Sequence, residues 1–600
     1  MLLWAPFVLV HLGGQDSITA FSRQDNELYW RHLLNLATEV AVAGYVVGRA
    51  SWPDARLRAA VALVFLAGCV KYAERIWVLF LASPGNLKSW SRFVLSKKLE
   101  WRQRQPSREE AVKMTRDSLN ILMSKGGSSS GRQLFLDAMP LIPDVISADA
   151  PLNQTRNITV AAKNDLPGML KKFLPSDSDS RLNAYEHVGA LLGFCYRRLY
   201  TKDLLRERHI IYNDHCLGLI FFAVLDLIFT WVPIPVALAL FMAAEKGLHT
   251  SSRSAAADIW VSYLLLVGAI ALDGASAARF IFFPLSHQLA GMGWIKRQIS
   301  RDVTRRPITK DHTSIKKFIL DTLLVSGTMK KWNIASSRGQ VALKKEVEVH
   351  SSGDSTTRRT LKEAVEKTVR SGFDFPTSVL IWHIATEICY YSHSDQVEEH
   401  NLLREQKMKE DKQVSRELSQ YVMYLVFKCG VMLTTNSEVV HDKAEEEIVG
   451  VLSSFRRDDL GDKDAVMKLY EAGISKDDEI QMIEHHEEPE EKQDSDHEES
   501  PDIDRDAYNH MKKLQQSFEA LKSPVLPRAC AVAQELISIE NEADRWDLIA
   551  AVWAEMLYYT AARCGGGFHY EHLSTGGEFA THVLVLMYLL GPFLPPAYQY

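Results

Sequence analysis

The stretch Leu57–Ala82 reads LRAAVALVFLAGCVKYAERIWVLFLA and decides the class of fold that the sequence predicts. The surface helix of a water-soluble protein has polar residues every three to four positions along one face. The apolar core of this stretch, Ala59–Val70, has no such face. A polar turn follows at Lys71, Glu74 and Arg75. Because a spanning helix needs about 17 to 25 mainly apolar residues, this segment predicts a transmembrane helix.

Further apolar segments occur on both sides of this stretch. The segment 2–12 is too short for a complete span and is treated as partial. The others are long enough to cross a bilayer, although polar residues interrupt them: 30–48, 216–243 and 259–283. We therefore predict four to five spans within residues 1–300. Long core helices of a large water-soluble protein are the alternative interpretation.

Basic residues next to the predicted spans indicate their orientation. Lys and Arg are frequent in the flanks 88–104, 197–208 and 296–310, which predicts that the large loop 83–215 and the C-terminal half are cytosolic. Two observations favour the opposite orientation. Arg49, Arg56 and Arg58 lie in the link between the second and third segments, which this scheme places outside. Two glycosylation acceptor sequences, at Asn153 and Asn157, are modified only in the secretory lumen. We give more weight to the basic flanks, since a three-residue pattern arises easily by chance.

The second half of the chain changes to amphipathic helices. Trp546, Ile549, Trp553 and Leu557 recur at helical spacing and predict one buried stripe. Helices are predicted at 377–391, 418–433, 529–539, 546–562 and 578–590. An acidic segment, 476–505, predicts a solvated linker between a helical region at 301–475 and a C-terminal domain at 506–600. The predicted fold is all-α, with a multi-span helical membrane domain followed by a cytosolic helical domain.

Composition excludes several classes of protein. The chain has 24 Phe, 20 Tyr and 13 Trp, too many buried-type residues for a chain that is disordered throughout. Seven scattered Cys do not form the even, regular pattern of a secreted disulfide scaffold. A net charge of −6 over 600 residues does not indicate a nucleic-acid partner.

Three carboxylates lie inside predicted spans: Glu39, Asp226 and Asp273. An unpaired carboxylate at the centre of a bilayer costs about 2.5–3.5 kcal/mol, so these side chains are expected to face protein or water. Pairing with Lys71, Arg75 or Arg279 would satisfy Glu39 and Asp226. A proton or ion path is the functional interpretation, and polar contacts that hold the helices together are the structural one, which we favour.

Histidine and glutamate residues form the candidate chemical cluster in the second half. His383 and Glu387 lie four residues apart on one helix face, and His569, His572 and His582 occur near the C-terminus. Imidazole and carboxylate groups bind zinc when three or four of them converge at about 2.0–2.3 Å from the ion. Since nothing in the spacing forces convergence, helix packing and capping are the favoured roles. We assign no catalytic, cofactor-binding or metal-binding residue.

Several motifs resemble a family of plant membrane proteins, numerous in grasses. They include LVHLGGQDSITAF at 9–21, KYAER at 71–75, WHIATE at 382–387 and HLSTGGEF at 572–579. The resemblance is to proteins that pair domain of unknown function 4220 with a C-terminal domain of unknown function 594. It implies an integral membrane protein with a cytosolic helical tail and supplies no catalytic residue. Relatives carry apolar sequence ahead of the His11 motif, so a shortened N-terminus is expected here.

The sequence therefore predicts a multi-pass membrane protein that acts as an anchored interaction or scaffold protein. Its expected partners are the lipid bilayer and an unidentified protein that binds the helical tail, with no nucleic acid and no cofactor. A transporter or channel using Glu39, Asp226 and Asp273 is the first alternative. A membrane-anchored metal-dependent hydrolase, built on the His/Glu cluster, is the second.

Overall fold

The computed structural model describes residues 4–12, 23–50, 54–86, 89, 178–200, 231–245, 259–275, 313–326, 337–343, 365–370, 372–392, 402–453, 461–484, 525–539, 541–573 and 578–589, which contain helices and no strand. The π-helical turn Tyr424–Lys428 and short helical segments at 84–86, 340–343 and 365–369 occur in addition to the main helices. The predicted all-α class is confirmed for this part of the chain. The helices, in chain order, are α1 Trp4–Leu12, α2 Arg23–Glu27, α3 Tyr29–Arg49, α4 Ala55–Leu81, α5 Ser178–Tyr200, α6 Pro233–Glu245, α7 259–275, α8 Thr313–Ser326, α9 Phe375–Tyr391, α10 Leu402–Met423, α11 Thr435–Ser453, α12 Asp462–Glu484, α13 Val525–Ile537, α14 Glu542–Ala561, α15 Gly566–His572 and α16 Phe579–Leu589.

Helices α1, α3, α4, α6 and α7 form an N-terminal bundle around α4. Asp54 caps α4 by accepting a hydrogen bond from the Arg56 backbone N–H. Helices α3 and α4 are antiparallel, since the Tyr29 ring at the start of α3 lies 5.2 Å from the Phe80 ring near the end of α4. The bundle's interior is built mainly of Ala, Val, Leu, Ile and Phe side chains.

Helices α5 and α8 to α16 pack into a C-terminal core with α14 at its centre, and the short α2 packs on α4. The predicted stripe is confirmed, because Trp546, Ile549, Trp553 and Leu557 are all fully buried. Burial extends beyond that stripe to nearly every residue of 548–561, as expected of a helix surrounded by others. Helix α9 is set against this centre and begins at an Asp374 cap followed by Pro376 in its first turn.

The helices predicted in the second half correspond to α9, the end of α10 with the π-helical turn that follows it, α13, α14 and α16. Four helices of the second half were not predicted: α8, α11, α12 and α15. In α11 and α12, long polar faces obscure the apolar periodicity. Helix α12 extends to Glu484, inside the segment predicted as a linker. The rest of that segment lies outside the described residues. The helices before and after the predicted linker share one hydrophobic core, in which α13 packs on both α9 and α12.

The predicted spans correspond to helices of different lengths. The segments 2–12, 30–48 and 57–82 coincide with α1, α3 and α4, whereas α6 and α7 cover only parts of 216–243 and 259–283. Within the described ranges, no helix is at once long enough and apolar enough to cross a bilayer, so the five predicted spans are not supported helix by helix. Charged residues inside the longest N-terminal helices, such as Glu39, Lys71 and Glu74, are the reason.

Gly473 on α12 marks the closest approach between α12 and α13. A side chain at Gly473 would overlap the Cys530 sulfur and press on Leu526. We expect Gly473→Val to lower the free energy of unfolding by about 2–3 kcal/mol, because overpacked core sites cost about 1–3 kcal/mol. Gly450 on α11 has open space around it, so Gly450→Val is the matched control and should change stability little. Equal losses in urea unfolding of the two variants would contradict this account of the packing.

Candidate functional site

His383 and Glu387 lie on α9, and both contact α10. The His383 Nδ1 atom lies 2.7 Å from the Ser419 hydroxyl, and a Glu387 carboxylate oxygen accepts a 3.0 Å bond from Arg416 Nε. Arg416 also donates to the Tyr391 hydroxyl, which completes the polar contact between the helices. Burial lowers the pKa of His383. The pair therefore joins α9 to α10, in agreement with the packing role favoured from the sequence.

The three C-terminal histidines each have a separate hydrogen bond. His569 Nδ1 lies 2.8 Å from the Thr581 hydroxyl and so connects α15 to α16. His572 and His582 contact backbone oxygens one turn earlier, those of Phe568 and Glu578. Burial is the largest cause that lowers the pKa of His569 and of His582, in each case to about 4. The rings of His569 and His582 are therefore neutral at pH 7.

With the other residues that the structure describes, the C-terminal histidines form no cluster of metal-binding geometry. Among the described residues, three possible ligands have donor atoms within 4.8 Å of one another only at His441, Asp442 and Glu445, on the surface of α11. None of His383, His569, His572 and His582 belongs to that group. The candidate hydrolase cluster is thus divided between two contacts, α9 with α10 and α15 with α16.

The buried histidines predict acid sensitivity of the core. A lowered pKa in the folded state means that the unfolded chain binds more protons, so stability is lost as the pH falls from 6.5 toward 4. Each ring contributes on the order of 3 kcal/mol over that window, at about 1.4 kcal/mol per pKa unit. We expect the double variant H569Q/H582Q to show a much flatter dependence of melting temperature on pH. A slope as steep as that of the parent protein would contradict this prediction.

Of the three carboxylates that lie in the predicted spans, Asp273 has a clear partner. Lys71 of α4 donates to both Asp273 oxygens on α7, at 2.8 and 2.6 Å, and Lys71 is buried. Both residues were named from the sequence, but their pairing was not. Glu39 is half-buried on α3, and Asp226 lies outside the described residues. The ion pair therefore joins two helices inside the N-terminal bundle.

Glu555 is a buried, hydrogen-bonded carboxylate whose role the sequence did not reveal. It lies on α14, is almost fully buried, and accepts hydrogen bonds from the Ser337 hydroxyl and from three backbone N–H groups, those of Gly339, Val341 and Ala342. Burial raises the pKa of Glu555, and the four donors oppose that rise. We call this group the Glu555 latch. The sequence did contain one sign of this role, a glutamate in the middle of an otherwise apolar part of the helix.

A second polar junction connects the C-terminal core to the N-terminal bundle. The Tyr570 hydroxyl accepts a hydrogen bond from the Asn26 side chain and donates to the Ala82 carbonyl at the end of α4. Tyr200 at the end of α5 donates to the Tyr570 carbonyl at 2.6 Å. The four residues Asn26, Ala82, Tyr200 and Tyr570 are all buried. This Tyr570 junction therefore fixes the position of the core at one end of the bundle.

Comparison with protein families identifies two regions of the chain. The family model described as Domain of unknown function (DUF4220) matches residues 1–404. The chain belongs to the DUF4220 family. A second model, Protein of unknown function, DUF594, matches residues 538–591. Neither a curated protein nor a solved structure gives a match to this DUF4220 protein.

The pairing of domains inferred from the sequence motifs is therefore confirmed. Both polar junctions connect the two matched regions. The Glu555 latch joins the DUF594 region to 337–342, and the Tyr570 junction joins it to Asn26, Ala82 and Tyr200. The DUF594 region is thus packed into the DUF4220 region and shares its core.

Proposed function

We propose that this DUF4220 protein is embedded in a lipid bilayer through its N-terminal bundle and presents its C-terminal core as an interaction platform. The observation that carries the proposal is the exterior of α6 and α7. Every exposed residue described on these helices is apolar, including Trp260 at 75% exposure and Leu264 at 72%. A contiguous apolar exterior of this kind marks a membrane or protein interaction site.

The C-terminal core has the opposite exterior. Exposed positions on α10 and α11 are mostly charged or amide residues, among them Lys407, Glu410 and Glu446. Few large hydrophobic residues are exposed there, whereas most of those exposed in the described part of the chain belong to 8–272. The contrast supports water as the surroundings of the core and lipid as the surroundings of the bundle.

Exposed aromatic residues lie toward both ends of the bundle. Trp30 and Trp77 are near the end that carries the Tyr570 junction, and Tyr45 and Trp260 are near the other end. On α3, Trp30 and Tyr45 are separated by roughly 22 Å at 1.5 Å per residue. Aromatic side chains favour the two interfaces of a bilayer, whose hydrocarbon core is about 30 Å thick. Their placement supports a bundle immersed in lipid.

The charges that make α4 too polar to cross a bilayer by itself are compatible with a bundle immersed in lipid. Lys71 is buried and paired with Asp273 inside the bundle, so its charge does not face the surroundings. The exposed residues of α4 beyond Arg58 are apolar, such as Leu66 and Trp77. A bundle can therefore present an apolar exterior although its individual helices carry charges.

The platform role rests on the rigid attachment of the core. The Tyr570 junction is buried and connects three parts of the chain, so the core keeps a defined position relative to the bundle. His383 and Glu387 are occupied in helix contacts, which supports a structural use of these groups. The basic flanks favour a cytosolic core, and we retain that orientation as part of the proposal.

The membrane proposal is tested by extraction of the full-length protein. Vesicles containing it are washed at pH 11 and then treated with non-ionic detergent. We expect the protein to stay with the vesicles in alkali and to be released by detergent, because apolar contact with lipid does not depend on charge. Release in alkali as a monodisperse species would contradict the proposal. A mobility shift after glycosidase treatment would place Asn153 or Asn157 in the lumen and reverse the orientation.

A further inference from the structure

Three exposed arginines lie together at the end of the bundle remote from the core. Arg49 is the last residue of α3, and Arg56 and Arg58 are in the first turn of α4. We call them the arginine tip. Helix α4 is 27 residues long, so the tip lies roughly 40 Å from the Ala82 carbonyl that contacts Tyr570. The tip and the core are therefore at opposite ends of the bundle.

The contacts of the tip leave its positive charge available. Arg56 donates a 3.4 Å bond to the Ala243 carbonyl at the end of α6, and the Arg49 guanidinium lies 5.9 Å from the Tyr45 ring. The nearby Asp54 carboxylate accepts from the Arg56 backbone N–H. No carboxylate in the described part of the chain forms an ion pair with any of the three guanidinium groups.

The surface beside the tip is apolar and aromatic. Tyr45 is one turn before Arg49, and Trp260 begins the apolar face of α7, the helix whose Ile259 packs in the same cluster as Leu57. Guanidinium groups above an aromatic girdle face the level at which phospholipid headgroups lie. Guanidinium binds phosphate through paired N–H donors, so anionic headgroups complement this tip better than zwitterionic ones.

We propose that Arg49, Arg56 and Arg58 form a binding site for anionic phospholipid headgroups in the leaflet remote from the core, which is the non-cytosolic leaflet in the orientation retained above. This inference rests on the proposed membrane function and adds the class of lipid that the bundle selects. Each basic residue near an anionic surface strengthens binding by about fivefold. Three of them give a preference on the order of a hundredfold over a zwitterionic lipid, decreasing at high salt.

The test uses the full-length protein in non-ionic detergent and measures the binding of phosphatidylglycerol and phosphatidylcholine by native mass spectrometry. We expect the protein to bind phosphatidylglycerol at least tenfold more tightly, and R49Q/R56Q/R58Q to lose that preference. The variant R370Q/K428Q/K463Q removes the same charge from exposed positions of the core and should keep the preference. Melting temperatures of both variants establish that they are folded.

Several results would overturn the proposal. Equal binding of the two lipids by a protein that resists alkaline extraction would refute the arginine tip alone and leave the membrane proposal intact. Competition by inorganic phosphate as effective as that by the lipid would identify a free-anion site instead. Loss of the preference in the core variant would show that net charge, and not the tip, selects the lipid.

Discussion

Replacing Glu555 by Ala is expected to lower the free energy of unfolding by on the order of 4 kcal/mol. The change would leave the Ser337 hydroxyl and the backbone N–H groups of Gly339 and Ala342 without their buried acceptor. Each unsatisfied buried donor costs about 1–3 kcal/mol, and the truncated side chain adds a cavity. Since the latch joins the two family regions, we expect the region 337–343 to lose protection in hydrogen exchange first.

Two control variants make this prediction specific. Asp547 is an exposed carboxylate on the same helix, so Asp547→Ala should change stability by less than about 0.5 kcal/mol. Glu555→Gln keeps the shape and one acceptor oxygen, but its amide N–H₂ faces backbone donors, and an intermediate loss is expected. If E555A and D547A unfold at the same denaturant concentration, the latch does not stabilise the fold.

Replacing Asp273 by Leu is expected to destabilise the N-terminal bundle by about 3–5 kcal/mol. Lys71 would then keep a buried charge without the partner that binds it through two hydrogen bonds. Removal of one member of a buried ion pair costs this much because the remaining charge is uncompensated. Thermal unfolding of the detergent-solubilised protein, followed by size-exclusion chromatography, measures the effect.

The double variant K71L/D273L separates two explanations of the pair. If the pair only holds α4 and α7 together, two apolar side chains of similar volume should restore most of the lost stability. Ion flux through vesicles containing the double variant then tests the transport alternative. Flux in the parent protein that disappears in a fully stable double variant would support a transport path through Asp273. A double variant no more stable than D273L would contradict the proposed helix contact.

Residues close in sequence were interpreted correctly from their spacing. Trp546, Ile549, Trp553 and Leu557 follow the helical period, and their common burial needs no knowledge of distant residues. The helices α9, α13 and α16 were predicted for the same reason, and the family motifs identified both matched regions. Helices α11 and α12 were missed because few of their residues are buried.

Contacts between residues far apart in the chain could not be predicted from the sequence. Lys71 and Asp273 were both recognised as charges in apolar segments, yet 202 positions separate them and several partners were possible. Glu555 stood out only as a charge among apolar residues, and its partners could not be named because most of them act through backbone N–H groups near 337–342. The spacing of the candidate His/Glu residues also left their partners open, and α10 and α16 supply different ones, Ser419 and Thr581.

The amino-acid sequence by itself determined the helical class, the central apolar helix and the pairing of two family regions, because these depend on periodicity and local motifs. The tertiary structure alone decided which surface of each helix faces outward. It buried Lys71 against Asp273, left Trp260 and Leu264 exposed, and brought Tyr570 to the end of α4. The physical reason is that burial and ion pairing depend on the packing of whole helices, which hydropathy along one segment does not contain.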